Sequence, residues 1–244
     1  AEPEAAEVLR ETFAEEGIAV RTGAETVRVD HDGTHFTVRL DSGDPLRANE
    51  LLLATGRRTD LAALGVGAVG LDESAHHLDV DEHLRAAEGV WAIGDVTGRG
   101  AFTHMSMYQA RIAAADILGS PTEPARYHAV PSATFTDPEV GTVGLTEAQA
   151  RAAGLTVWTG RAKIPESSRG WLHGPGNAGF VKLVADAERG ILVGASSVGP
   201  HGGEVLGALT LAVQAEVPIT TMREMIYAYP TYHRAIESAL ADLG

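Results

Sequence analysis

Val90-Trp91-Ala92-Ile93-Gly94-Asp95 is the stretch on which the reading of this sequence turns. Four apolar residues in a row, then a glycine, then a carboxylate, describe a short strand buried on both faces that breaks at a tight turn. A companion of the same build stands upstream, Leu51-Leu52-Leu53-Ala54-Thr55-Gly56-Arg57. The ends of such strands are where open α/β sheets place ligands. A glycine there lets the backbone approach a cofactor, and a carboxylate can accept a hydroxyl from a ribose or ribitol. Taken alone, each stretch also reads as an ordinary strand and turn.

Upstream of this pair, Glu4 to Glu16 places Ala5, Val8, Leu9 and Phe13 near one helical face and stops at Gly17. Ile18 to Arg21, Glu25 to Val29 and His35 to Leu40 then read as a small antiparallel meander, punctuated by Asp30-His31-Asp32-Gly33 and Asp41-Ser42-Gly43-Asp44. Downstream, Met107 to Leu118 is an alanine-rich helix without Gly or Pro. Gly119-Ser120-Pro121-Thr122-Glu123-Pro124 is the clearest linker and marks a domain boundary.

Beyond the linker the pattern becomes α+β. Ser132 to Thr136 and Val140 to Val143 are strands around Asp137-Pro138, and Thr146-Glu147 opens a helix that ends at Gly154. Leu155 to Lys163, Phe180 to Ala185 and Ile191 to Val198 are further strands, the last two joined through Glu188-Arg189-Gly190. Helices fill Gly203 to Ala215, Thr221 to Ile226 and Tyr232 to Leu240.

Composition narrows the function classes. The 244 residues carry 19 basic and 33 acidic side chains, a formal charge of -14 that repels nucleic acid and anionic membrane. No apolar stretch is long enough for a membrane span, and the acidic, amphipathic N-terminus is no signal peptide, so the expected compartment is the cytoplasm. With no cysteine, the chain itself carries no disulfide, thiolate metal site or thiol chemistry.

Two decoys need setting aside. Gly65-Val66-Gly67-Ala68-Val69-Gly70 has dinucleotide-fingerprint spacing, but neither the preceding strand nor the following helix that the motif requires is present. His77, Asp79, Asp81 and His83 read as charges on an exposed strand and turn, and no metal is expected there. Met105 and Met107 read more readily as packing than as function.

The order Ala54-Thr55-Gly56, then Leu78-Asp79-Val80-Asp81, then Val90 to Asp95 resembles the second half of a pyridine nucleotide-disulfide oxidoreductase, the class I flavoprotein family of dihydrolipoamide dehydrogenase and mercuric reductase. The resemblance continues through Pro131-Ser132-Ala133-Thr134-Phe135-Thr136-Asp137-Pro138-Glu139 and Leu145-Thr146-Glu147, which look like the start of the family's dimerisation domain. It implies an α/β and α+β chain, the remnant of a two-dinucleotide-binding-domain flavoprotein followed by an α+β dimerisation domain. Residues 1–56 would be the end of the NAD(P)H-binding domain, 57–120 the end of the FAD-binding domain, and 127–244 the dimerisation domain. The family's first FAD fingerprint, its redox-active cysteine pair and most of the NAD(P)H domain would precede Ala1.

Site residues follow from the same resemblance. Thr55, Gly56 and Arg57 close the NAD(P)H domain and return the chain to the FAD domain. Gly94 and Asp95 resemble the turn whose aspartate binds the FAD ribitol. Thr103, His104 and Met105 resemble the segment whose backbone amides approach the flavin pyrimidine edge. Disulfide reductases of the family also carry a histidine before Pro-Thr and a glutamate five positions after it, an acid-base dyad across the dimer interface. Here Tyr229 stands at the histidine position and Arg234 at the glutamate position, and neither keeps that role. Tyr229 and His233 are the candidate catalytic residues, with His233 and Glu237 one turn apart as a displaced dyad or an ordinary exposed pair. A tyrosine near this place is similar to mercuric reductases, whose C-terminal cysteine pair is missing here.

The function implied is FAD-dependent NAD(P)H oxidation, as a homodimer, with electrons passed to a small-molecule acceptor that is not a typical disulfide. The missing N-terminal portion of the enzyme would be a further partner. The alternative is a non-catalytic dimerisation module. The apolar run Val205 to Val213, more than one small sheet would cover, adds to the expectation of a dimer.

Overall fold

In the computed structural model, which describes residues 1–244, the chain opens with helix α1 (Pro3–Glu15). Pro at the first turn and Glu4 beside the helix N-terminus favour this start, and the chain leaves through Gly17 at φ +77°. A three-stranded antiparallel meander follows, β1 (Thr26–His31), β2 (Phe36–Leu40) and β3 (Leu46–Ala48). The meander was expected, but with different members. Residues 18–21 form no strand, and Ile18 and Val20 stay exposed.

The expected buried strand at Leu51 to Ala54 is absent. These residues have no regular structure, and Leu52 and Leu53 are 89% and 71% exposed. A strand buried on both faces needs neighbours that accept its backbone hydrogen bonds and cover its side chains. No strand of this chain pairs with it.

Helix α2 (Leu61–Leu64) is capped by Asp60, whose carboxylate accepts from the Ala63 N–H, and a 3-10 turn occupies Val66–Val69. Gly65 and Gly70 end these two turns at left-handed φ, so the glycine repeat serves as helix punctuation. Of the apolar run at residues 90–93, only Val90 and Trp91 pair, forming β5 (Val90–Trp91) against β4 (Arg85–Ala87). Ala92 is buried but Ile93 is largely exposed, so this segment too falls short of a strand covered on both faces. A 3-10 turn at Gly94–Thr97 leads to helix α3 (Thr103–Ile117), which starts four residues before Met107.

The second half is a five-stranded antiparallel sheet in the order β6-β7-β10-β9-β8. In chain order its elements are β6 (Pro131–Thr134), β7 (Glu139–Gly144), α4 (Glu147–Ala152), β8 (Val157–Lys163), α5 (Ser168–His173), β9 (Phe180–Asp186) and β10 (Ile191–Gly199). Helices α6 (Gly202–Gln214), α7 (Ile219–Glu224) and α8 (Arg234–Ala241) complete it. Thr146 and Gln149 make a reciprocal capping box at the start of α4. Helix α5 was not expected; Ser167 caps it by accepting from the Gly170 N–H.

Helix α6 lies on β7 and β10, and α8 on β8 and β9. Gly160 permits the close approach of α8, because a Cβ there would overlap the Ala239 carbonyl. The apolar run of α6 is largely satisfied within the chain: Val205, Leu206, Leu209, Ala212 and Val213 are buried, and Leu211 is exposed. The expectation that this run outstrips its sheet is therefore corrected. Apolar surface left uncovered in this half includes Phe135, Trp171, Leu172 and Ile226 as well as Leu211.

Every residue of β9 is buried, which a sheet with one open face could not achieve. Val181, Leu183 and Ala185 face the core under α6 and α8, while Phe180 packs with Ala5, Val140 and Val198 on the opposite face. Helix α1 covers that opposite face. Lys182 points the same way, and its ammonium lies 3.0 Å from Glu2, 2.7 Å from Glu4 and 3.0 Å from Glu147. Glu2 also accepts from the Glu147 N–H at 2.7 Å, so the four side chains tie α1, α4 and β9 together.

Burial opposes the charged form of Lys182, but hydrogen bonds from Glu4, Glu2 and Glu147 outweigh it and hold its pKa above the usual lysine range. The Glu147 carboxyl is lowered by its hydrogen bonds to Lys182 and Arg151. For Glu4 burial acts upward, and the Lys182 bond and its companions bring the net shift below the ordinary value.

Lys182→Met leaves the buried Glu2 and the partly exposed Glu4 without a cation, while Glu147 keeps Arg151, and is expected to lower unfolding free energy at pH 7 by about 3 kcal/mol, much of it recovered by adding Glu2→Gln. The lowered carboxyls contribute stability that is present above about pH 4.5 and lost as pH falls through their folded pKa. The raised lysine contributes below about pH 10.4 and loses it as pH rises. Urea denaturation of both variants across pH checks this, and the Lys182→Met deficit should shrink below about pH 4 as the carboxylates protonate.

Candidate functional site

Gly94 sits at φ +77°, a left-handed conformation that favours glycine, and a Cβ there would stand 2.7 Å from the Ser106 hydroxyl on α3. Its N–H donates to the Gln109 side-chain oxygen at 2.6 Å, and its carbonyl accepts from the Thr97 hydroxyl at 2.8 Å. The Gln109 amide nitrogen donates to Thr97 and to the Tyr127 hydroxyl, both at 3.2 Å. Gln109 is fully buried, and its amide is the side-chain partner of the Gly94 N–H.

Held this way, the turn presents Asp95 with its carboxylate partly exposed. Arg57 Nη1 lies 2.7 Å from that carboxylate, and Arg57 Nη2 donates to the Ala101 carbonyl at 2.5 Å. The segment Thr55-Gly56-Arg57 is exposed along its length and converges on Gly94-Asp95 through Arg57 alone. Gly56 turns at φ +102°. The pair stands at an open cleft of about 760 Å³ that also involves Arg58, Asp60 and His77.

Helix α3 begins beside this turn with no side-chain cap at Phe102. As its first residues, Thr103 and His104 have amides with no acceptor inside the helix. Met105 departs from expectation: its N–H is taken by the Phe102 carbonyl at 3.0 Å and its side chain is buried. Its place is in the packing beneath the turn. The His104 ring stacks on Phe102 at 5.0 Å, and its Nε2 donates to the Pro131 carbonyl at 2.9 Å, linking the helix start to β6.

The other candidates form a separate group at the C-terminal motif. Tyr229 is largely exposed, and the Arg234 guanidinium lies 5.3 Å from its ring centre. Arg234 also approaches Glu237 at 3.3 Å, and no ion pair or hydrogen bond joins Glu237 to His233. The displaced His233–Glu237 pair is therefore not formed. No hydrogen bond, ion pair or ring contact joins Tyr229 or His233 to the residues around Gly94. Tyr232 is buried, which raises its phenol pKa, and its hydroxyl hydrogen-bonds His173 Nδ1 at 2.7 Å.

Sequence reasoning missed Gln109, Thr97 and Ser106. The available signal was one amide within an otherwise apolar stripe, since Met105, Gln109, Ile112 and Ala113 are the buried residues of α3.

Comparison with known proteins identifies relatives along nearly the whole chain. The family model described as pyridine nucleotide-disulphide oxidoreductase matches residues 1–112, and the one described as its dimerisation domain matches residues 130–240. The chain is 32% identical to a dihydrolipoyl dehydrogenase of Mycobacterium leprae over 98% of its length and 52% of the relative's. It is 31% identical to a mercuric reductase of Bacillus cereus, over 98% of its length and 38% of the relative's. The crystal structure of LpdA from Mycobacterium tuberculosis superposes with a TM-score of 0.88 at 27% identity, covering 98% of this chain and 52% of that one. The chain thus spans about half the length, or less, of the relatives it matches.

Replacing Gln109 by Leu removes the acceptor of the Gly94 N–H and the donor to Thr97 and Tyr127. The variant is expected to lose about 2–3 kcal/mol of stability, and Gln109→Glu less. Chemical denaturation measures the loss, and hydrogen exchange at Gly94 should accelerate in the leucine variant.

Proposed function

We propose, on the premise that the chain belongs to the pyridine nucleotide-disulphide oxidoreductase family, that it forms part of an FAD site in an enzyme that oxidises NAD(P)H and reduces a diffusible acceptor. The observation that carries this reading is the Gly94-Asp95 turn: a backbone that favours glycine, a partly exposed carboxylate held by Arg57, and an uncapped helix start beside it. The residues fit the group. Asp95 would accept a ribitol hydroxyl, and the Thr103 and His104 amides would face the flavin's polar edge. FAD, when bound, supplies the chemistry, accepting a hydride from NAD(P)H and passing electrons on.

In this reading residues 1–56 close the NAD(P)H domain, residues 57–120 belong to the FAD domain, and residues 127–244 pair two copies into a homodimer. Phe135, Trp171, Leu172 and Ile226 are the apolar surface available for pairing. No helix is long and apolar enough to cross a membrane, and the acidic balance supports a cytoplasmic protein without a nucleic-acid partner.

The acceptor follows from the C-terminal motif. A phenol at residue 229 under a guanidinium at residue 234 is a poor proton shuttle at neutral pH, which argues against efficient dihydrolipoamide or glutathione turnover. A quinone or similar small oxidant needs no such dyad. The isolated chain would act as a non-catalytic dimerisation module that binds FAD weakly, because the family's pyrophosphate-binding fingerprint is not among its motifs.

Steady-state assay of the complete protein with NAD(P)H tests the acceptor: quinone turnover should exceed disulfide turnover by at least about tenfold. Efficient disulfide reduction that survives His233→Ala would overturn it. Sedimentation equilibrium of the 244-residue chain at micromolar concentration should give a dimer, weakened by Ile226→Asp.

A further inference from the structure

Between α5 and the start of α8 lies a small groove of about 160 Å³ in which none of the lining residues is hydrophobic. Arg169 enters from α5 and Arg234 from α8, with the hydroxyls of Ser168, Thr231 and Ser238 around them. Arg169 makes no hydrogen bond or ion pair within the chain. Its guanidinium lies over the Tyr232 ring at 5.2 Å, which leaves its N–H donors unspent. Tyr232 is itself held by the bond to His173, so the platform is rigid.

The negative charges nearby are already matched. Glu166, which itself lines the groove, pairs with Lys163 at 2.9 Å, and Glu237 approaches Arg234 at 3.3 Å, so Arg234 faces the groove with part of its charge offset. The Arg169 charge is left over. Ser168 and Ser238 have no side-chain hydrogen bond within the chain, while Thr231 spends its proton on the Ala228 carbonyl at 2.7 Å. A cavity of this size with a free planar fork, a second guanidinium and free hydroxyls matches one tetrahedral oxyanion, and is too polar for an apolar ligand.

We propose that this groove binds a phosphate-like oxyanion, with Arg169 and Arg234 as its cationic walls and the Ser168 and Ser238 hydroxyls as further donors. The site stands on the groove alone and does not depend on the flavoenzyme reading. Free phosphate and the phosphate group of a larger ligand share this chemistry.

Titration of inorganic phosphate and of phenyl phosphate into the whole chain, followed by two-dimensional amide NMR, tests it. Saturable shifts centred on residues 166–169 and 230–238 are expected, with a millimolar or tighter dissociation constant for at least one of the two. Tighter binding of phenyl phosphate would identify the phosphate group of a larger molecule as the ligand; equal or tighter inorganic phosphate would identify the free ion. Arg169→Gln should weaken binding by about tenfold, while Arg39→Gln on the remote meander should not change it. Ser238→Asp, an exposed change that keeps both arginines, should block binding without altering the thermal melt. Absence of saturable shifts at these residues, or equal losses in the Arg169 and Arg39 variants, would overturn the site.

Discussion

The buried side chain of Gln109 is the constraint on which the candidate site depends. One amide accepts from Gly94, donates to Thr97 and donates to Tyr127, so it joins the 3-10 turn, helix α3 and the segment that leads into the second domain. Few side chains could do this, because the position needs an acceptor and a donor at the same tip and no net charge. With the amide in place, Gly94 is pressed against Ser106 and Asp95 is turned outward to Arg57. The function proposed above is a consequence of that orientation.

A second tie works at the scale of domains. The Lys182 cluster and the apolar contacts of Ala5 cover the face of β9 that α6 and α8 leave open. The first helix is thereby fastened to a sheet that begins more than a hundred residues later in the chain. Three carboxylates around one ammonium leave the cluster acidic, and Arg151, which bonds Glu147 at 2.9 Å, offsets part of that excess.

Much of this was legible in the sequence. The strands and most helices from Pro131 onward were readable because their apolar residues alternate or recur at helical spacing, and their turns carry Gly, Asp and Pro; the short α5 was the exception. The Gly94-Asp95 turn was readable for the same reason. Leu51 to Ala54 misled, because an apolar run announces a buried strand but says nothing about whether strand neighbours are present to bury it. Gln109 left one faint signal, a lone amide in the apolar stripe of α3, and Lys182 left none. Each takes its meaning from partners far away in sequence, and neither periodicity nor local spacing encodes a contact such as Lys182 to Glu2. Arg169 escaped for a related reason, since its ring platform, Tyr232, comes from a different helix region.

Asp95, oriented by the Gly94 turn, is proposed to be a direct FAD ligand. Flavin occupancy of the complete protein, read as the ratio of flavin to protein absorbance after purification of wild type and Asp95→Ala, tests it most directly. The substitution should strip most of the flavin while circular dichroism shows the fold intact. Unchanged flavin occupancy in a folded Asp95→Ala protein would contradict it.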